Sequence, residues 1–307
     1  MLLFFVLRQK NVKLDILFLV LIILNSNMKI LISNDDGIDS NGLFSLATKF
    51  EELGEVIVIA PDKQMSATSH ALTTIVPLRV KKFYKNDKFF GYAVNGSPAD
   101  CMKLAIFSLL DEKPDIVLAG INHGRNTGIN VMYSGTVAAA AEGFLAGIPS
   151  FAVSLSSHSP EKETDTAAQY AFDIVKKVIN REPKENIFLN INIPAIPKEE
   201  IKGVKVVKTA ASFWEDEYEK RIDPFRHEYY WFNGAYVYDE MDIDTDDVAI
   251  DNGYVAVTPI HYNFTNINQL ETIKFLDNTL EETTNITKQE KFEEKIDEAI
   301  ENNKIET

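Results

Sequence analysis

An α/β fold, with a mainly parallel sheet covered by helices on both faces, follows from three features of this sequence. Short apolar runs that read as buried strands alternate with segments of helical period. The alternation is strand, helix, strand over and over, and repeated β-α-β connections put parallel strands side by side beneath their crossover helices. Polar loops, several rich in glycine or hydroxyl residues, follow the strands, where proteins of this architecture gather their ligands.

Taken in order, Lys29 to Ser33 reads as the first buried strand. Leu43, Phe44, Leu46, Ala47, Phe50 and Leu53 form one helical face that stops at Gly54. Val56 to Ala60 is the second strand, and Leu78 to Tyr84 and Phe89 to Val94 follow a polar loop as two more. Ser97-Pro98-Ala99-Asp100 has the form of a helix start: an N-cap hydroxyl, proline at the first helical position and an acid at N3. Met102 to Leu110 continues that helix. Strand Ile116 to Ala119, helix Val137 to Ala146 ending at Gly147, strand Phe151 to Leu155, helix Ala167 to Ile179 and strand Ile187 to Ile193 complete the series. From about Phe213 the texture changes to aromatic and acidic residues, including Tyr229-Tyr230-Trp231-Phe232, without helical period. Hairpins, rather than further βα units, are predicted there.

Both ends differ from this body. Residues 1–27 carry an unbroken apolar run, Ile16 to Leu24, preceded by Arg8, Lys10 and Lys13. The run is too short to span a bilayer, and Leu24-Asn25-Ser26-Asn27 lacks a small-x-small cleavage pattern. We read 1–27 as a hydrophobic extension outside the fold, with Met28 the functional start; export or anchoring through it is the alternative. Residues 28–278 form the domain, and 279–307 a charged tail with Phe292, Ile296 and Ile300 at helical spacing.

The net charge of -15 resides in the domain and tail, since the extension is basic. An acidic body without a basic stripe repels nucleic-acid backbones, so no nucleic-acid polymer and no stable membrane association is expected. A small phosphate ester would need local positive charge from a metal, a helix N-terminus or backbone amides. The single cysteine, Cys101, excludes an intrachain disulfide and fits a reducing, cytoplasmic setting; its place at the start of an apolar helical pattern marks a core thiol.

Asp35 and Asp36 follow the first strand directly and precede Gly37. Neighbouring side chains on a strand point to opposite faces, so two adjacent carboxylates converge on one ion only where the strand gives way to a turn. Gly37 supplies that turn. Such a pair needs a cation, and hard oxygen ligands suit Mg²⁺, Mn²⁺ or Ca²⁺; the alternative is one Asp capping the helix and the other solvated. The loop Asp62 to His70 is crowded with hydroxyls, and Gly120 to Gly128 holds three glycines that let amides approach an anion. Tyr133-Ser134-Gly135-Thr136 opens a helix, a natural phosphate seat. Gly37 to Gly42 has P-loop glycine spacing but Leu43-Phe44 where Lys and Ser/Thr are required, no G-x-G-x-x-G follows the first strand, and no G-x-S-x-G elbow is present. His70 and His123 read as solvated loop histidines.

Met28-Lys29-Ile30-Leu31-Ile32-Ser33-Asn34-Asp35-Asp36-Gly37-Ile38 resembles the opening of the SurE (survival protein E) nucleotidases. Gly96-Ser97-Pro98-Ala99-Asp100-Cys101, Gly120-Ile121-Asn122, Tyr133-Ser134-Gly135-Thr136-Val137 with Glu142-Gly143, Tyr229-Tyr230-Trp231 and Asn252-Gly253-Tyr254 with Thr258-Pro259 resemble further family motifs in order, over roughly residues 28 to 265. Ala67, Ser97 and Asn263 depart from the family's frequent Gly, Thr and Asp. The resemblance implies a Rossmann-like sheet, a hairpin arm within about 213–265 used in homodimer or homotetramer formation, and hydrolysis of nucleoside 5′- and 3′-monophosphates. It implies one divalent cation, Mg²⁺ or Mn²⁺, held by Asp35, Asp36, Ser66 and Asn122. Gly37, Ser134, Gly135 and Thr136 would hold the phosphate, with Asp35 and Asp36 the catalytic carboxylates and Asp36 a candidate general base. The rival readings are a broader phosphatase or short-chain polyphosphatase, and a non-catalytic, receiver-like nucleotide-binding module.

Overall fold

The computed structural model describes residues 28–157, 164–182 and 186–277. The extension 1–27 and the tail 279–307 lie outside the described residues. The chain divides into two compact units, one ending at Ile260 and the other beginning at His261. In the first, the chain runs β1 (Met28–Ser33), α1 (Asn41–Phe50), β2 (Gly54–Pro61), β3 (Val80–Lys85), β4 (Lys88–Val94), α2 (Pro98–Leu104) and β5 (Ile116–His123). It continues through α3 (Asn130–Tyr133), α4 (Gly135–Leu145), β6 (Ser150–Ser156), α5 (Asp165–Ile179), β7 (Phe188–Pro194), β8 (Val204–Val206), β9 (Ser212–Ile222), β10 (Glu228–Tyr238), α6 (Asp246–Asp251) and β11 (Val255–Pro259). The second unit holds α7 (Ile267–Leu270), capped by the Asn266 side chain and running into a 3₁₀ turn over Glu271–Leu276.

Nine strands form one sheet in the order β3-β4-β2-β1-β5-β6-β7-β11-β8. The pairs from β4 to β7 are all parallel, whereas β3 and β11 pair antiparallel with β4 and β7. The α/β reading therefore holds, with a Rossmann-like parallel centre. Because β2 lies on one side of β1 and β5 on the other, the winding reverses at β1, and a crevice opens where β1 and β5 end.

Strand alternation places the two larger cores on opposite faces of the sheet, with a smaller cluster of Val207, Ala249, Ile250 and Ala256 around α6 and β11. Ile30 and Ile32 of β1 belong with Leu43, Leu46 and Phe50 of α1 and Ala171 and Val175 of α5 on one face. Leu31 belongs with Cys101 and Met102 of α2 and Val137 and Ala140 of α4 on the other. The helices start where their caps dictate. Ser40 accepts from Leu43 N, Ser97 and Asp100 form the reciprocal capping box, and Ser134 accepts from Val137 N. Cys101 is fully buried, and burial pushes its thiol far above the usual range, as expected of a core residue.

The structure departs from the sequence reading in places. The fifth strand does not stop at Ala119; it shifts register between Ala119 and Asn122 and runs on to His123, so Asn122 belongs to the sheet's C-terminal edge rather than to a free loop. The last part of the α2 helix widens into a π-helical turn over Ala105–Leu109. Within residues 213–265, the hairpin is β9 paired with β10, from Ser212↔Tyr238 to Ile222↔Glu228. The chain then returns to the main sheet as α6 and β11. The late acidic stretch hides that return, because β11 is only a short apolar run and its neighbour β8 is three residues long. Among the described residues no helix is long and apolar enough to cross a membrane.

Asp246 and Asp247, at the start of α6, are completely buried. Asp246 accepts from the backbone N–H of Ala210 (2.9 Å), Gly128 (3.1 Å) and Asp247 (3.0 Å), while Asp247 accepts from the Thr127 hydroxyl (2.5 Å) and the Tyr236 phenol (2.7 Å). Thus α6 fastens the 124–130 loop, the residue 210 turn and the hairpin base together. Asp246→Ala leaves buried donors without an acceptor and should destabilise the protein by about 2–4 kcal/mol in urea unfolding, with Asp246→Asn milder because one oxygen remains. A loss below about 1 kcal/mol for Asp246→Ala would show that the loop is held by other means.

Candidate active site

At the end of β1 the chain must place two adjacent carboxylates beside the first turn of another helix. Asp35 is buried, its carboxylate accepting the hydroxyl of Thr136 in the first turn of α4. Gly135 allows this approach: a Cβ there would stand 2.8 Å from Asp35 Cβ and 3.0 Å from Pro98 Cγ. Any side chain at 135 would push Asp35 off the helix end. Gly37, at φ +99°, turns the chain away, and Asn34 braces the turn by accepting from Gly37 N and donating to Gly37 O and the Ser40 hydroxyl. The Asp35 carbonyl accepts from Met65 N (2.7 Å), which draws the 62–70 loop over the pair. That loop is held at its far end by Ser69, whose hydroxyl donates to Met132 O.

Asp36 accepts from His123 N (3.2 Å) at the end of β5. Asn122 donates its Nδ2 to Gly124 O (2.7 Å), a bond that leaves its carbonyl oxygen for another partner. Asp35, Asp36, Ser66, Asn122 and Ser134 all line one cleft of about 480 Å³, within the roughly 300–1,000 Å³ usual for small-ligand sites. Another cavity, of about 350 Å³, lies by Met28, Ile116 and Ile187 at the opposite end of the strands, away from the paired carboxylates.

The other residues expected to face phosphate lie differently. Gly37 spends its N–H on Asn34, Thr136 spends its hydroxyl on Asp35, and Gly135 is pressed against Asp35. Of the four, Ser134 is the one lining the cleft. Residues not singled out from the sequence also line it: Gln64, Arg125, Asn126, Asn130, Trp214 and Tyr236. Asn126 sits in the glycine-rich loop and could have been found there; Trp214 and Tyr236 carry no local signal, since only the hairpin's folding brings them in. His70 pairs with buried Glu142 at 2.7 Å, alongside Lys103. His123 does line the cleft, and its Nδ1 has no hydrogen-bond partner among the described residues.

Burial pushes the Asp35 carboxyl up to about 6; the Thr136 bond opposes the rise and the neighbouring Asp36 charge adds to it. Burial raises Asp36 as well, with the His123 N–H and ring pulling the other way. Arg125, the one basic side chain of long reach in the lining, is committed to Asp251 (2.7 Å) and lies 3.6 Å from Asp247. Arg125 is thus spent on other carboxylates, and the surroundings of the pair offer oxygen: the Asn122 carbonyl and the Ser66 hydroxyl. Among the described residues no group of three or more His, Cys, Asp or Glu is placed to hold a metal. Any ion held here would use two carboxylates and neutral oxygens, a donor set that fits Mg²⁺ or Mn²⁺.

Since its folded value lies above the ordinary carboxylate range, ionised Asp35 costs stability above pH 6, and the cost fades as pH falls from 6 toward 4. In chelator at pH 8, Asp35→Asn should therefore be more stable than the natural chain by on the order of 1–3 kcal/mol, with the difference closing near pH 4. Urea unfolding at both pH values measures this, and a variant less stable at pH 8 would refute the charge cost.

The family model described as survival protein SurE matches residues 30–216. A protein named 5′-nucleotidase SurE from Chlorobium phaeobacteroides is 44% identical over 237 residues, covering 77% of this chain and 92% of its own. One of the same name from Syntrophobacter fumaroxidans is 41% identical over 250 residues, covering 80% and 98%. The crystal structure of the SurE protein from Aquifex aeolicus superposes with a TM-score of 0.69 at 39% identity, covering 81% of this chain and 99% of that one. With its fold, its order of motifs and its near-complete coverage of these relatives in agreement, the chain belongs to the SurE family.

Proposed function

We propose that this protein is a phosphoric monoester hydrolase that converts nucleoside 5′-monophosphates, and 3′-monophosphates as well, to nucleoside and phosphate with one divalent cation, Mg²⁺ or Mn²⁺. The observation that carries this reading is the meeting of Asp35, Asp36, Ser66 and Asn122, from three separate segments, in one cleft at the point where the sheet's winding reverses. Relatives above 40% identity named as 5′-nucleotidases support it. A phosphate dianion would be repelled by two bare carboxylates, so the reading requires the cation as well as the residues. Asp35, Asp36, Ser66 and Asn122 are the residues that would hold it, and when bound it supplies charge neutralisation at the phosphoryl oxygens and an acidified water.

The chain's own groups do the rest. Thr136 and Gly135 fix Asp35 against the first turn of α4, so its orientation is set before substrate arrives. Ser134, which lines the cleft at the same helix end, would donate to a phosphate oxygen. Asp36, with one oxygen on His123 N, has a second oxygen to orient or deprotonate the attacking water. The aromatic hairpin β9-β10 is the surface we assign to homodimer or homotetramer formation. The lone buried thiol accords with the cytoplasm as the site of action.

The test is a phosphate-release panel of nucleoside 5′- and 3′-monophosphates and short polyphosphate, run with and without chelator. Nucleoside monophosphates should be cleaved, activity should vanish in chelator, and Mn²⁺ or Mg²⁺ should restore it; chelator-resistant turnover, or cleavage of polyphosphate alone, would overturn the reading. Asp36→Asn should abolish turnover. Asn122→Ala should lower it about 10–100-fold, with part of the loss recovered at high Mn²⁺, as expected for loss of one neutral ligand. A metal titration of Asn122→Ala that matches the natural protein would remove Asn122 from the site.

A further inference from the structure

The cleft has a second wall that the chemistry above does not use. Trp214 and Tyr236 face each other across the base of the β9-β10 hairpin as register partners, their ring centroids 5.3 Å apart, and both line the cleft with Asp35 and Asp36. Each has its polar handle tied down. The Trp214 indole N–H donates to Asn130 Oδ1 (2.9 Å), and the Tyr236 phenol is engaged with Asp247, Ser212 and Thr127 O. Asn130 opens the short helix α3, four residues before Ser134, so the indole is anchored to the segment that leads into the phosphate end of the cleft.

Arg125, beside these rings, is held by Asp247 and Asp251 and lies over the faces of Tyr236 and Tyr238. What this wall presents to the cleft is consequently aromatic surface, with its donors and its guanidinium already spent. Such surface recognises a flat, uncharged ring by stacking, which tolerates any base because every base has a π face. A sugar phosphate without a base would forgo that stacking.

We propose that Trp214, backed by Tyr236, is the stacking platform for the nucleobase, a specificity-determining element that makes the enzyme prefer nucleotides over base-free sugar phosphates. The proposal rests on the phosphomonoesterase reading above. Stacking acts on binding and is blind to base identity, so it raises affinity for purine and pyrimidine nucleotides alike.

The experiment compares a nucleoside 5′-monophosphate with ribose 5-phosphate, which keeps the phosphate and sugar and lacks the base. In the natural protein kcat/KM should favour the nucleotide by about tenfold or more, and Trp214→Leu should lower the nucleotide value about tenfold, chiefly through KM, with a much smaller change for ribose 5-phosphate. Trp214→Phe, which keeps a ring and loses the N–H, should recover most of the preference. A binding readout accompanies this. The chain has two tryptophans, and in a Trp231→Phe background the remaining fluorescence comes from Trp214 and should be quenched by nucleotide and not by ribose 5-phosphate. Equal losses on both esters in Trp214→Leu would make the indole a structural support and overturn the proposal. If the natural protein cleaved both esters equally, the hydrolase reading would stand and the base platform would fall; if it cleaved neither, both would fall together.

Discussion

Everything at this site depends on keeping a buried carboxylate, Asp35, where water alone would not hold it. A carboxylate that loses its hydration must find donors or a cation, or take up a proton. Asp35 has the Thr136 hydroxyl and the first turn of α4, whose N-terminus favours negative charge. These partners leave its affinity for a proton well above normal. Burial without enough compensating donors is what keeps that affinity high, and it is the reason the proposed reading calls on a cation here. Gly135 is the steric counterpart of the same constraint, since the helix end serves Asp35 only if nothing projects from it.

The remainder of the cleft is assembled by bonds that reach far along the chain. The loop after β5 would be floppy by composition, yet Asn126 N bonds Asn192 Oδ1, the Asn126 side chain bonds Ser154, and Asn190 and Asn192 both donate to Asn126 O. Two neighbouring parallel strands, β6 and β7, thus grip one loop from below. Asp246 and Asp247 grip it from the side. These polar groups are fully or almost fully buried, where an unsatisfied donor is expensive, so the network holds a single arrangement more firmly than an apolar contact of equal area would. Rigidity of this kind keeps the cleft lining, Asn122 and Asn126 included, in one arrangement.

Much of the fold is legible in the sequence because period and punctuation agree from Met28 to Pro194: the apolar runs become strands, and the Ser97 cap starts its helix where the sequence puts it. Asp35 and Asp36 are legible for a physical reason, since adjacent charges at a strand end are costly without a use. Other parts are hidden for equally physical reasons. Gly120 reads as the end of a strand, because glycine weakens strands on average; here the ladder shifts register and continues, which brings Asn122 to the sheet edge. Thr136 reads as a phosphate ligand from its place in a first turn. Its hydroxyl instead turns toward Asp35, a choice decided by a residue 101 positions away. Asp246 and Asp247 sit among Asp239, Glu240, Asp242 and Asp244, and such a run reads as a solvated face. Only the donors waiting on residues 127, 128 and 210 distinguish the buried pair from its exposed neighbours.

The hairpin shows why the late part of the chain cannot be treated as an appendage to the site. Its outer strands carry exposed Tyr218, Tyr230, Trp231 and Phe232, whereas its base carries Ser212, Trp214 and Tyr236, each hydrogen-bonded to the 127–130 segment. Tyr236 joins three elements through one oxygen, because its hydroxyl meets Ser212 on the facing strand, Thr127 O on the loop and Asp247 on α6. A displacement of the hairpin base must then either break those bonds or carry the loop with it. The loop is continuous with Asn122 and His123, which touch the carboxylate end of the cleft. A hairpin whose outer half is exposed aromatic surface is in this way mechanically tied, through its inner half, to the residues that line the cleft.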